Sequence, residues 1–95
     1  MRFEWDLDKA AVNLAKHGVS FEQASELFTS GVDFLEIFDE TRSLVEERFW
    51  AIGRIRRGLV VVVYAEIDED TVRIISVRMA TARERALYGA RMEDR

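Results

Sequence analysis

The 95-residue chain has no cysteine, no proline, a single histidine and five glycines. Without cysteine there is neither a disulfide framework nor a thiolate metal site. One histidine among scattered carboxylates shows no metal-ligand spacing, and DETRSLVEE, residues 39–47, is not a calcium loop. No metal and no cofactor are therefore expected. There is no glycine-rich phosphate loop, and no serine stands in a G-x-S-x-G turn, which argues against a Ser-His-Asp triad. The longest apolar run, LVVVVYA at residues 59–65, falls far short of the roughly 20 residues that cross a bilayer. The opening MRFEWDLDK lacks the apolar stretch of a secretory signal. A cytoplasmic protein without membrane attachment is the expectation. Repeats, low-complexity tracts and Gly/Ser linkers are also missing, so residues 1–95 read as one domain with a modest core.

What is present is an uneven charge distribution. The net charge is −4, but residues 1–53 carry 5 Lys+Arg against 11 Asp+Glu, and residues 54–95 carry 9 against 7. All nine cations of the second part are arginine, whose planar fork matches phosphate, whereas lysine is a hydrated point charge. A local phosphate site is compatible with an acidic chain. A solvated arginine surface is the plainer alternative.

Hydrophobic periodicity divides the chain into elements. Phe3 and Trp5 suggest a short strand, after which Asp6 or Asp8 caps a helix to about His17. Leu7, Ala10, Ala11 and Leu14 form its apolar stripe, with Lys9, Asn13, Lys16 and His17 on the opposite side. Gly18 supplies a left-handed stop. Ser20 with Gln23 forms a capping box, and Val19 with Ala24 a hydrophobic staple, opening a second helix to about Thr29 with Phe21, Ala24, Leu27 and Phe28 inward. Residues 33–38 form a strand and DETRS a turn. In the strand 45–53, Phe49, Ala51 and Gly53 share one face and Arg48, Trp50 and Ile52 the other. A turn at RIRRG leads into LVVVVYAEI, apolar on both faces and so a central strand. VRIISVRM is the last strand, with Val72, Ile74, Ser76 and Arg78 expected on one face. Thr81 with Glu84 caps a closing helix whose packing side is Ala86, Leu87 and Ala90. The order β-α-α-β-β-β-β-α predicts an α+β domain with helices on one face of an antiparallel sheet.

Arg78 stands out, because an arginine at the end of an apolar strand is a snorkelling edge residue, an ion-pair partner of Glu46 or Glu47, or an anion ligand. Arg85 and Tyr88 share a side near the N-terminal end of the last helix, where the dipole favours an anion. Arg54, Arg56 and Arg57 form a basic hairpin tip, either a polar turn or a grip on a nucleic-acid backbone. His17 sits at a helix C-terminus, which favours its protonated form and equally suits a plain capping role.

The blocks FEWDLDKAAVNLAKHGVSFEQA, EERFWAIG and RIISVRMATARERALY resemble, in order and spacing, the BrnT toxins of bacterial type II toxin–antitoxin systems. KHGVSFEQA and IISVRMATARER are the specific parts of the likeness. The resemblance implies a RelE-like fold and a ribonuclease that blocks translation. It also implies a ribbon-helix-helix antitoxin of the BrnA type, in a heterotetramer that binds operator DNA. Metal-free cleavage then needs a base for the ribose 2′-OH, cations for the phosphorane and an acid for the leaving 5′-oxygen. Arg78 and Arg85 are assigned to the scissile phosphate, Glu47 or Lys16 to the base, and His17 or Tyr88 to the acid. Lys9, Arg54, Arg56, Arg57 and Arg83 are expected to contact RNA. The alternative is a toxin homologue that only binds its antitoxin, to which the acidic N-terminal half is suited.

Overall fold

Capping residues set the helix ends where the sequence places them. In the computed structural model, which describes residues 1–40 and 46–93, β1 (Arg2–Glu4) leads to α1 (Leu7–His17). The Asp6 side chain accepts the Lys9 N–H at 3.0 Å, and Gly18 closes α1 at φ 71°. The Ser20–Gln23 box is reciprocal, 3.0 and 2.9 Å, and opens α2 (Phe21–Thr29). Then follow β2 (Leu35–Phe38), β3 (Arg48–Ile55), β4 (Gly58–Asp68), β5 (Thr71–Met79) and α3 (Ala82–Glu93). Val45 and most of the DETRS turn lie outside the described residues.

The five strands form one sheet in the order β1-β5-β4-β3-β2. The expectation of an antiparallel sheet is corrected: β1 pairs parallel with β5, so the sheet is mixed. Strands β2 to β5 follow one another in sequence and pair antiparallel, but two helices separate β1 from β2. That length lets β1 reach the far edge, where Phe3 sits level with Val72.

β4 is central and buried on both faces, as its composition demands. Ala51, Val60, Val62, Tyr64, Ile74 and Val77 form the larger core with Phe21, Ala24 and Leu27 of α2. Each large α2 side chain buried there contributes about 1.5–3 kcal/mol. A smaller cluster on the other face, Ile52, Leu59 and Val61, is covered by Tyr88 of α3. The helices therefore lie on both faces, not on one. Both apolar faces of β4 need a cover, and α2 supplies only one.

Three further expectations are corrected. The register of β4 on β5 shifts between Val63 and Tyr64, so Val63 pairs with Ser76 and Tyr64 with Ile74. Ile75 is the extra residue, and such a bulge reverses the alternation beyond it. Ile74 and Val77 therefore share the larger core, whereas Arg78, level with Val61, faces the other side. On α1, Leu7 and Leu14 are 78% and 50% exposed while Asn13 is 7% exposed, so of the expected apolar stripe only Ala10 packs on the core. Asn13 Nδ2 donates to the Val77 and Val19 carbonyls at 2.8 and 3.1 Å, and Asn13 Oδ1 accepts the Val77 N–H at 3.1 Å. β1 ends opposite Arg73, so Val77 has no strand partner on that edge, and Asn13 takes the strand's place. On α3, Ala86 and Ala90 are exposed, and Tyr88 is the residue that packs inward.

Gly53 is required for close approach of α2 to the sheet. A Cβ there would stand 2.4 Å from Leu27 Cδ1 and 2.7 Å from Phe34 Cβ. Gly53→Ala is expected to destabilise the fold by about 1–3 kcal/mol, read as a lower denaturant midpoint at unchanged slope.

Candidate functional site

Arg78 is held from two directions. Its Nη1 and Nη2 donate to Glu84 Oε1 and Oε2, both at 2.7 Å, a bidentate pair. Its guanidinium carbon lies 5.8 Å from the centre of the Trp50 ring, within cation–π range. Trp50 is fixed in turn by its Nε1–H, which donates to Asp39 at 3.1 Å. Glu84 also closes the capping box of α3: it accepts the Thr81 N–H at 2.8 Å, and its own N–H donates to the Thr81 hydroxyl at 3.2 Å. One carboxylate thus starts the helix and locks the arginine. The expected partners Glu46 and Glu47 are not the ones used: Glu46 pairs with Arg73 at 3.1 Å, and Arg73 also reaches Glu4 at 3.4 Å.

Hydrogen bonds from Arg78, and secondarily from Thr81, outweigh partial burial and pull the Glu84 carboxyl down to about 2. The same pairing raises Arg78 further above neutrality, so it stays cationic. A carboxyl depressed from the ordinary 4.5 contributes stability that is complete above that value and lost as pH falls towards 2. Wild type is therefore expected to be more heat-stable than Glu84→Gln at pH 7, with a smaller gap at pH 3, since the loss is complete only below about 2. Paired thermal melts at the two pH values check it.

A cleft of about 380 Å³ lies beside the free edge of β5, between Ile75, Ser76 and α1. Lys9, Lys16 and His17 all line it, with Asp8, Val12 and Asn13. The Asn13 clamp explains this gathering, because it turns the cationic side of α1 toward the strand. Ser76 stands two residues before Arg78 and on the same face, about 7 Å along the strand. The α1 cations and Arg78 therefore flank one stretch of sheet.

The remaining sequence-derived residues are dispersed. Tyr88 is half-buried over Ile52, Leu59 and Val61. Arg83, Arg85 and Glu47 are exposed and take part in none of the ion pairs around Arg78. Arg57 reaches the C-terminus of α1, its Nη2 3.7 Å from where a Cβ on Gly18 would lie. Arg54 and Arg56 line a separate cleft beside Glu26, which accepts the Arg56 N–H at 3.2 Å. Sequence reasoning missed Trp50 and Asn13, and saw in Glu84 only a cap. Trp50 carries no motif, and strand alternation alone places it on the Arg78 side. Among the described residues, no three His, Asp or Glu side chains are disposed to hold a metal, and no helix is long and apolar enough to cross a membrane.

A family model described as the ribonuclease toxin, BrnT, of type II toxin–antitoxin systems matches residues 5–84. The crystal structure of the Brucella abortus ribonuclease toxin, BrnT, is similar at TM-score 0.63 and 28% sequence identity, over 85% of this chain and 97% of that one. No curated protein matches.

Proposed function

Since the chain belongs to the BrnT family of ribonuclease toxins of type II toxin–antitoxin systems, we propose that it cleaves RNA without a metal ion, blocks translation and is neutralised by a BrnA-type antitoxin. The whole of residues 1–95 forms the toxin domain, with a RelE-like layout, working in the cytoplasm. In the complex, ribbon-helix-helix antitoxins bridge two toxins into a heterotetramer that binds operator DNA.

The ribose 2′-OH attacks the adjacent phosphorus, the P–O5′ bond breaks, and the products are a 2′,3′-cyclic phosphate and a free 5′-OH. Arg78 faces the developing phosphorane charge with Arg85 assisting from α3, and a guanidinium fixed in advance needs no reorganisation as that charge grows. The observation that carries this reading is the fixing of Arg78 by Glu84 and Trp50 on the sheet face that the α1 cations flank. Lys16 or Glu47 takes the 2′-OH proton, and His17 or Tyr88 returns one to the 5′-oxygen. Of the two bases, Lys16 fits better. Arg78 is level with Ile52 through Val61, which puts Glu47 roughly 16 Å away along the strands, whereas Lys16 shares a cleft with Ser76. Lys9, Arg54, Arg56, Arg57 and Arg83 contact the RNA backbone.

Purified protein free of antitoxin is expected to cut a defined RNA in excess EDTA, leaving 2′,3′-cyclic phosphate ends. Intact RNA, with and without ribosomes, from protein shown to be folded would overturn the reading. A second reading, a non-catalytic antitoxin-binding module, is favoured by one observation: both terminal nitrogens of Arg78 are already bonded to Glu84.

A further inference from the structure

β4 runs from Gly58 to Asp68, so its ends stand roughly 33 Å apart. The basic turn with Arg56 and Arg57 lies at one end, and Asp68, Glu69 and Asp70 mark the other. At that acidic end, on the α2 face and therefore behind the sheet from Arg78, opens a cleft of about 220 Å³. Its walls are aromatic. Phe28 meets Tyr64 edge-on with ring centres 4.9 Å apart, and Phe34 edge-on at 5.5 Å. Its rim is acidic, with Glu36, Glu66, Asp68 and Glu69; Met1 also lines it, and no Lys or Arg side chain does. The Tyr64 hydroxyl donates to Glu36 and holds that carboxylate at the mouth. Glu66 is exposed and takes part in none of the described ion pairs.

An aromatic wall under carboxylates suits a side chain with an apolar stem and a cationic head. The stem packs on the rings, and the head gains both a ring face and charge-assisted hydrogen bonds. Phosphate is repelled by the same rim, so the nucleic acid is not the occupant. We propose that this cleft receives an arginine or lysine side chain of the antitoxin, anchoring that partner at the pole of the molecule farthest from the basic hairpin. The occupant's identity rests on the reading of the chain as a toxin with an antitoxin partner.

The test has two arms. In the first, acetyl-arginine methylamide and its neutral counterpart acetyl-citrulline methylamide are titrated into isotopically labelled full chain, followed by NMR. Saturable shifts of the Phe28, Phe34 and Tyr64 ring signals are expected with arginine. Binding should be at least tenfold weaker with citrulline, and tenfold weaker for arginine in Glu36→Gln and Glu66→Gln. Glu66 is exposed, so its variant keeps the test open if Glu36→Gln fails to fold. No saturable shift, or equal binding of the two amides, overturns the proposal. In the second arm, Glu66→Lys is expected to raise the dissociation constant for the co-expressed BrnA-type partner at least tenfold. Unchanged affinity overturns the antitoxin as occupant even if arginine binds. RNA cleavage enters neither arm, so a chain inactive on RNA leaves both outcomes readable.

Discussion

Arg78→Ala is expected to lower RNA cleavage at least about 100-fold, the usual loss when a pre-aimed donor to a developing oxyanion is removed. The substitution takes away the cation held 5.8 Å over Trp50 and leaves Glu84 with its cap contacts to Thr81. α3 should therefore still form, and circular dichroism and antitoxin binding should be preserved. Arg78→Lys is expected to recover only part of the rate, because an ammonium cannot reproduce the bidentate geometry to Glu84. Glu84→Gln keeps the guanidinium but loosens it, and its effect should be the smaller, about tenfold, from misplacement of a group that must be aligned. Full activity of a folded Arg78→Ala protein would reduce the Arg78–Glu84 pair to a latch between β5 and α3. The non-catalytic reading would then gain ground.

Asn13→Ala is expected to be among the most destabilising substitutions in the chain, by about 3 kcal/mol. Asn13 makes three hydrogen bonds, two of them to Val77, in the part of β5 that β1 does not reach. Its removal leaves the N–H and C=O of Val77 and the C=O of Val19 without their partner in a buried place. For a domain of this size the loss corresponds to a fall in Tm of about 12–24 °C. Asn13→Leu separates the two contributions: it restores volume without donors, so a loss as large as that of alanine assigns the effect to the hydrogen bonds. A small loss in both variants would mean that water replaces the amide at this edge. Because the clamp also turns Lys9, Lys16 and His17 toward the strand, whatever folded fraction survives should bind RNA less tightly.

The two helices whose orientation escaped the sequence share a cause. α2 was legible because Phe21, Ala24 and Leu27 repeat at helical spacing and are all buried. α1 and α3 are not oriented by apolar spacing. α1 is turned by an amide that caps the free edge of β5, and α3 by a carboxylate that binds an arginine of the same strand. Both determinants are polar residues on faces that periodicity assigns to solvent, and their partners lie 64 and 6 residues away in sequence. The bulge at Ile75 was hidden for a related reason. Ile, Ser and Val all fit a strand, and only the register against β4 shows which residue is extra.

Local spacing and ordered blocks of residues are enough to place the elements, their caps, the central β4 and the family. The parallel addition of β1, the cover on both faces, the turn of Arg78 away from Ile74 and its grip by Glu84 emerge only on folding. These are relations between segments far apart in the chain or across the sheet, and they follow from which edges and faces remain unpaired after the hairpins form. Such vacancies exist only in the folded molecule.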